Sequence, residues 1–224
     1  MGILDMAKYH LQYPMIAWDW DGTIMNSTPT IVDCLQKACV DLDLDVPSQA
    51  IASHVIGLGL HDSLKIILPN LDEGEYPLVV ERFRYYYLSQ DHELILFQGI
   101  AELLQELKDR GHILAVATGK PRHGLDRTLQ QHKLTGFFHD TKTADQTRAK
   151  PHPQMLLELM ENWKMQPSEL LMVGDTTHDL KMAKSAGVSA IAVTYGAHPR
   201  AELEKLQPKA CVDQVAELRA ILIQ

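Results

Sequence analysis

The chain has 224 residues, 46% of them hydrophobic, and a formal net charge of -8. That length and composition allow one large domain or two smaller ones around a real core. The negative balance excludes a nucleic-acid partner gripped through clustered Lys and Arg, and no apolar run approaches the roughly 18 residues that span a bilayer. The opening stretch "MGILDMAKYHLQYP" carries Asp5 early and lacks a long apolar middle, so it is not read as a secretory leader. Cys34, Cys39 and Cys211 are odd in number and show no metal spacing, which fits a reducing, cytoplasmic setting.

In chain order, "MIAWDW" reads as a first strand. From about Asn26 to about Phe97 the pattern is helical, with almost no strand: "TIVDCLQKACVDL", "SQAIASHVIG", "HDSLKIIL" and "YPLVVERFRYYYLS" fit a period of 3.6 better than 2. Beyond it, helices and strands alternate. "GIAELLQELKDRG" is a helix, "HILAVAT" a strand, "PRHGLDRTLQQHKL" a helix opened by Pro121, and "PHPQMLLELMENW" a helix. "ELLMVGD" is a strand, "HDLKMAKSAG" a helix, "VSAIAVT" a strand, and two helices follow, from Arg200 and from Val215 to Ile223. Short apolar strands alternating with helices make an α/β chain with a parallel sheet. The all-helical block is expected to be a second, smaller domain: residues 1–24 and 97–224 form the core and residues 25–96 the insert.

The chemistry gathers at strand ends. Asp19 and Asp21 close the first strand, and residues i and i+2 of a strand share a face, so Trp20 points the other way. An Asp-Gly turn is the plain alternative. Ligands of open α/β sheets bind beyond the carboxyl ends of strands, however, and other strands also end in polar groups: "AVATGK" in Thr118 and Gly119, "LMVGDTTHD" in Asp175. A helix starting near Thr176 brings Asp179 back towards Asp175 on its first turn. Acids gathered in one crevice repel unless a cation sits among them, and oxygen ligands without His or Cys favour Mg²⁺.

These motifs, "DWDGT", "ATGK", "AKPHP" and "GDTTHD" in that order, resemble the haloacid dehalogenase superfamily, within it the phosphoglycolate-phosphatase-like group. The resemblance runs from about Met15 to near the C-terminus. It implies a Rossmann-like three-layer core with a helical cap where the insert falls, and a Mg²⁺-dependent phosphatase acting on a small phosphorylated metabolite. By resemblance Asp19 is the nucleophile, forming an aspartyl phosphate, and Asp21 the acid and base. Lys150 neutralises phosphate oxygens, while Thr118 and Gly119 hold one of them. The metal set implied is Asp19, Asp21 through its backbone carbonyl, Asp175, and Asp179, which holds a water of the ion. Trp20 departs from the usual Phe or Leu, and its side chain is expected to face the core.

A phosphosugar mutase uses the same aspartyl phosphate and is the near alternative; a non-catalytic binding module is the remote one, since no motif residue is missing. Asp21 argues against a dehalogenase and against a phosphonate hydrolase using Lys65. "GLGL", from Gly57 to Leu60, lacks the third glycine and preceding strand of a dinucleotide loop. Together with His61 and Asp62 it is either a specificity loop or a plain connection, and His61 is kept as a substrate-binding candidate. Tyr85 to Tyr87 read as packing and surface, His178 as solvated, Arg82, Arg84 and Lys65 as a charged face, and Asp91 to Glu93 as surface near the hinge. No membrane partner is expected, and the chain is read as a monomer or homodimer.

Overall fold

The computed structural model describes residues 12–223. The stretch before Gln12, where no secretory leader is expected, lies outside the described residues. Six strands form one parallel sheet: β1 (Met15–Trp18), β2 (Ile113–Thr118), β3 (Asp140–Thr143), β4 (Leu170–Gly174), β5 (Ser189–Val193) and β6 (Ala210–Val212). Their order is β3-β2-β1-β4-β5-β6. Parallel strands need crossovers, and the chain supplies them with α5 (Ile100–Asp109), α6 (Arg122–Gln131), α7 (Gln154–Trp163), α8 (Thr177–Ala186) and α9 (Arg200–Glu204). The chain ends in α10 (Val215–Leu222).

The central strands are apolar throughout because both faces of the sheet are covered. Ile16 and Trp18 of β1 pack with α5, α6 and α10 through Leu103, Leu125 and Leu218. Met15 and Ala17 face the other way, against α7 and α8 through Leu156 and Met182. The core is therefore α/β in three layers, and each strand writes alternate residues into one layer or the other.

Between β1 and α5 lie four helices: α1 (Thr28–Asp41), α2 (Gln49–His54), α3 (Leu60–Ile67) and α4 (Tyr76–Gln90). They bury a separate apolar cluster that includes Val32, Leu35, Ala52, Leu64 and Val79. The two connections to the sheet run side by side: Asn26 N–H donates to Ile95 O and Phe97 N–H to Ile24 O, both at 3.0 Å, around an antiparallel bridge of Met25 with Leu96.

Two local details differ from the sequence reading. The first strand stops at Trp18, although Asp19 N–H still donates to Val173 O at 2.9 Å. Strands β3 and β6 were not expected. β3 is the polar tetrad "DTKT" and β6 has three residues, and both lie at sheet edges where apolar burial is weakest. Among the described residues, no helix is long and apolar enough to cross a membrane.

Gly111 follows α5 at φ +88, and a Cβ placed on it would meet nothing within 4 Å. Gly111→Ala thus adds no clash and isolates the cost of a left-handed backbone, about 1–2 kcal/mol. Urea unfolding should show a loss of that size; unchanged stability would mean that the turn relaxes without strain.

Candidate functional site

Strand order reverses at the centre of the sheet, where β1 lies between β2 and β4. A crevice opens beyond the carboxyl ends of strands at such a point. Asp19 follows β1 there and Asp175 follows β4; both are buried. Thr176 caps α8, accepting from Asp179 N–H at 3.3 Å, while Asp179 Oδ2 accepts from Thr176 N–H at 3.0 Å and from the Thr176 hydroxyl at 2.7 Å. This capping box turns the first turn of α8 back toward the crevice. Carboxylate oxygens of Asp19, Asp175 and Asp179 all come within 4.8 Å of one another.

Lys150 sits among them, wholly buried, with Nζ 2.7 Å from Asp19 Oδ1 and 2.6 Å from Asp179 Oδ1. Burial alone pulls its ammonium pKa down, but Asp179 and Asp19 outweigh burial and the net shift is upward. Asp19 is raised well above the usual carboxylate range, first by burial and then by Asp179 and Asp175, against the pull of Lys150. Asp175 is pushed up to about 7 by burial and by Asp179, although Ala197 N–H and the Thr23 hydroxyl donate to it at 2.7 and 2.8 Å. One ammonium does not balance three buried carboxylates.

This group fits a hard divalent cation. Asp19 Oδ2 is buried and receives no hydrogen bond among the described residues. All three acids offer oxygen. Around Asp175 the backbone leaves no room for other side chains: a Cβ on Gly22 or on Gly196 would fall 2.2 Å from its Oδ2.

Asp21 lies apart from the three. Its carboxylate accepts from the Ser27 hydroxyl at 2.7 Å and from Lys120 Nζ at 3.0 Å on each oxygen. Lys120 also donates to the Tyr87 hydroxyl of α4 at 3.1 Å. Its burial opposes the charge, but Asp21 and Tyr87 more than offset this and the pKa rises. Within "ATGK" the sequence assigns no part to Lys120, and Tyr87 reads there as packing and surface. The position of Lys120 beside Thr118 was the available signal; nothing local marks Tyr87, whose partner is 33 positions away.

Asp19, Asp21, Thr118 and Gly119 line one cavity of about 560 Å³, and His61 lines it from the helical side. The Thr118 hydroxyl, buried, accepts from Lys120 N–H at 3.1 Å. Gly119 passes so close to the segment after α2 that a Cβ would lie 2.5 Å from both Gly57 O and Leu58 O. His61 is the second residue of α3 rather than a loop residue; it is exposed, with Nε2 3.8 Å from Glu73 Oε2. Trp20 is fully buried in the layer of α5 and α6.

Two expectations need correction. His178 is buried, not solvated: its Nε2 donates to the His54 carbonyl at 2.8 Å, and His198 Nε2 donates to the same oxygen at 3.0 Å. Asp91 is not surface either; it is buried and pairs with Arg127 Nε at 2.6 Å. In both cases a partner distant in sequence covers a polar group that its neighbours alone would leave wet.

Comparison with known proteins matches this geometry. A family model of haloacid dehalogenase-like hydrolases covers residues 16–193. The chain is 35% identical over 211 residues to a Dickeya dadantii protein named "Probable phosphatase IndB", covering 92% of this chain and 91% of that one. It is 32% identical over 219 residues to a phosphoglycolate phosphatase of Vibrio vulnificus, covering 93% and 96%. The crystal structure of a predicted phosphatase from Clostridium acetobutylicum superposes with a TM-score of 0.83 at 25% identity, over 95% of this chain and 99% of that one. The chain belongs to the haloacid dehalogenase-like hydrolase family.

Proposed function

We propose that the chain is a Mg²⁺-dependent phosphatase that hydrolyses a small phosphorylated metabolite through an aspartyl phosphate on Asp19. The observation that carries this is Asp19 itself: a buried carboxylate on the cavity wall, with one oxygen on Lys150 and the other without a hydrogen-bond partner among the described residues. A carboxylate oxygen free of donors keeps its lone pairs for attack on phosphorus, which supports this reading. The names of the Dickeya and Vibrio relatives support the phosphatase part of this reading.

In this reading Asp19 attacks phosphorus and the ester P–O bond breaks. Asp21 gives its proton to the leaving oxygen. In the second step Asp21 takes a proton from water, the water oxygen bonds to phosphorus, and the Asp19 carboxylate is regenerated. Lys150 offsets charge on Asp19 and on the phosphoryl oxygens, and Thr118 and Gly119 hold one of those oxygens. Asp19, the Asp21 carbonyl and Asp175, with Asp179 for a water of the ion, would hold Mg²⁺, which would supply a Lewis acid to offset charge between nucleophile and phosphate. Residues 25–96 act as the cap over a core of 1–24 and 97–224, excluding bulk water from the cavity. His61 stands on the cap side as a substrate contact. The three cysteines are free, which fits a cytoplasmic setting.

Asp19→Asn keeps the shape of the side chain and removes the nucleophile. Turnover of a generic phosphate ester should fall by on the order of 10³-fold or more, with an unchanged circular-dichroism spectrum; activity near that of the parent refutes the covalent step. Chelation with EDTA should abolish hydrolysis and added Mg²⁺ restore it. Turnover that persists through exhaustive chelation removes the metal from the mechanism.

A further inference from the structure

The wall facing the catalytic aspartates is aliphatic and aromatic. Ile31 and Leu35 of α1, Val55 and Ile56 after α2, and Val80 and Phe83 of α4 line the cavity of about 560 Å³. That volume is in the range that holds drug-sized ligands, far more than a two-carbon ester fills. The cations along the same cavity are committed or wet. Lys120 is bound to Asp21 and Arg127 to Asp91. Arg84, His61 and His123 line the cavity but are exposed, where pairing with an anion is weak. Asp62 and Asp145 add negative charge to the lining.

A leaving group bearing its own carboxylate would bury that charge against hydrocarbon without a buried cation to meet it. An apolar leaving group would instead exclude water from the whole wall. We propose that the substrate is a phosphate monoester whose leaving group is an uncharged, largely apolar body, selected by the Val80 and Phe83 face of α4 rather than by a second anionic contact. This rests on the phosphatase reading above and sets the class of ester within it.

The test is kcat/KM for ethyl, butyl and 2-phenylethyl phosphate beside 2-phosphoglycolate, with Mg²⁺ present. The primary alkyl esters have similar leaving-group basicity, so the series reads contacts rather than intrinsic reactivity. Specificity should rise roughly fourfold per added methylene, and 2-phenylethyl phosphate should exceed 2-phosphoglycolate by tenfold or more. Val80→Thr sets a hydroxyl in the wall and should lower the ratio of 2-phenylethyl to ethyl phosphate several-fold. Leu88→Thr, at an exposed position on the cavity's edge, repeats that test where folding is not at stake. A flat series, or 2-phosphoglycolate as the best substrate, overturns the inference and leaves the phosphatase standing; in the latter case Arg84→Ala should abolish the preference. No hydrolysis of any ester by folded protein overturns both.

Discussion

Lys150 is held between Asp19 and Asp179 at 2.7 and 2.6 Å, out of reach of solvent, and much of the surrounding architecture keeps that arrangement in place. A buried ammonium is tolerable only where carboxylates meet it, and two of those carboxylates are tolerable only because the ammonium is there. Asp19 follows β1, and Asp179 lies on α8, which follows β4, so their spacing depends on the register of β1 against β4, in which Trp18 lies opposite Val173. The capping box of α8 ties one oxygen of Asp179 to its own helix and leaves the other for Lys150. Thr23 and Ala197 brace Asp175 from two further loops. The fold thus concentrates negative charge at the switch point of the sheet and restrains it from several directions at once. This preorganised environment favours a cation.

The second constellation, Asp21 with Ser27, Lys120 and Tyr87, has a different character. Asp21 and Lys120 belong to loops after β1 and β2, whereas Tyr87 belongs to α4 of the helical block. A change in the position of α4 therefore changes what Lys120 touches, and Lys120, with Ser27, holds Asp21. Asp21 is in this way linked to the helical block, while Asp19 is tied to Lys150 of the core.

The central strands, their helices and the helical block were legible because burial on both faces writes continuous apolar runs, and burial on one face writes a 3.6 period. Asp19, Asp175, Thr118 and Lys150 were legible because they stand at strand ends or in short loops with recognisable neighbours. β3 was not, since "DTKT" has no apolar signature and is a strand by virtue of pairing with Ala115 to Thr118. Nor was the burial of His178 and Asp91. Each is covered by a group remote in sequence, the His54 carbonyl and Arg127, and such pairings exist only once the chain has folded.

The His54 carbonyl accepts from two imidazoles of the core, and this is where α2 is fastened to the sheet side of the molecule. The acceptor is main chain. Every residue type presents the same oxygen there, so drift in the identity of position 54 leaves the fastening intact. The donors have no such protection: each is a ring nitrogen of a particular side chain. The joint is therefore robust to substitution on one side and brittle on the other: it tolerates exchange of the side chain at position 54 but not loss of the imidazole at positions 178 and 198.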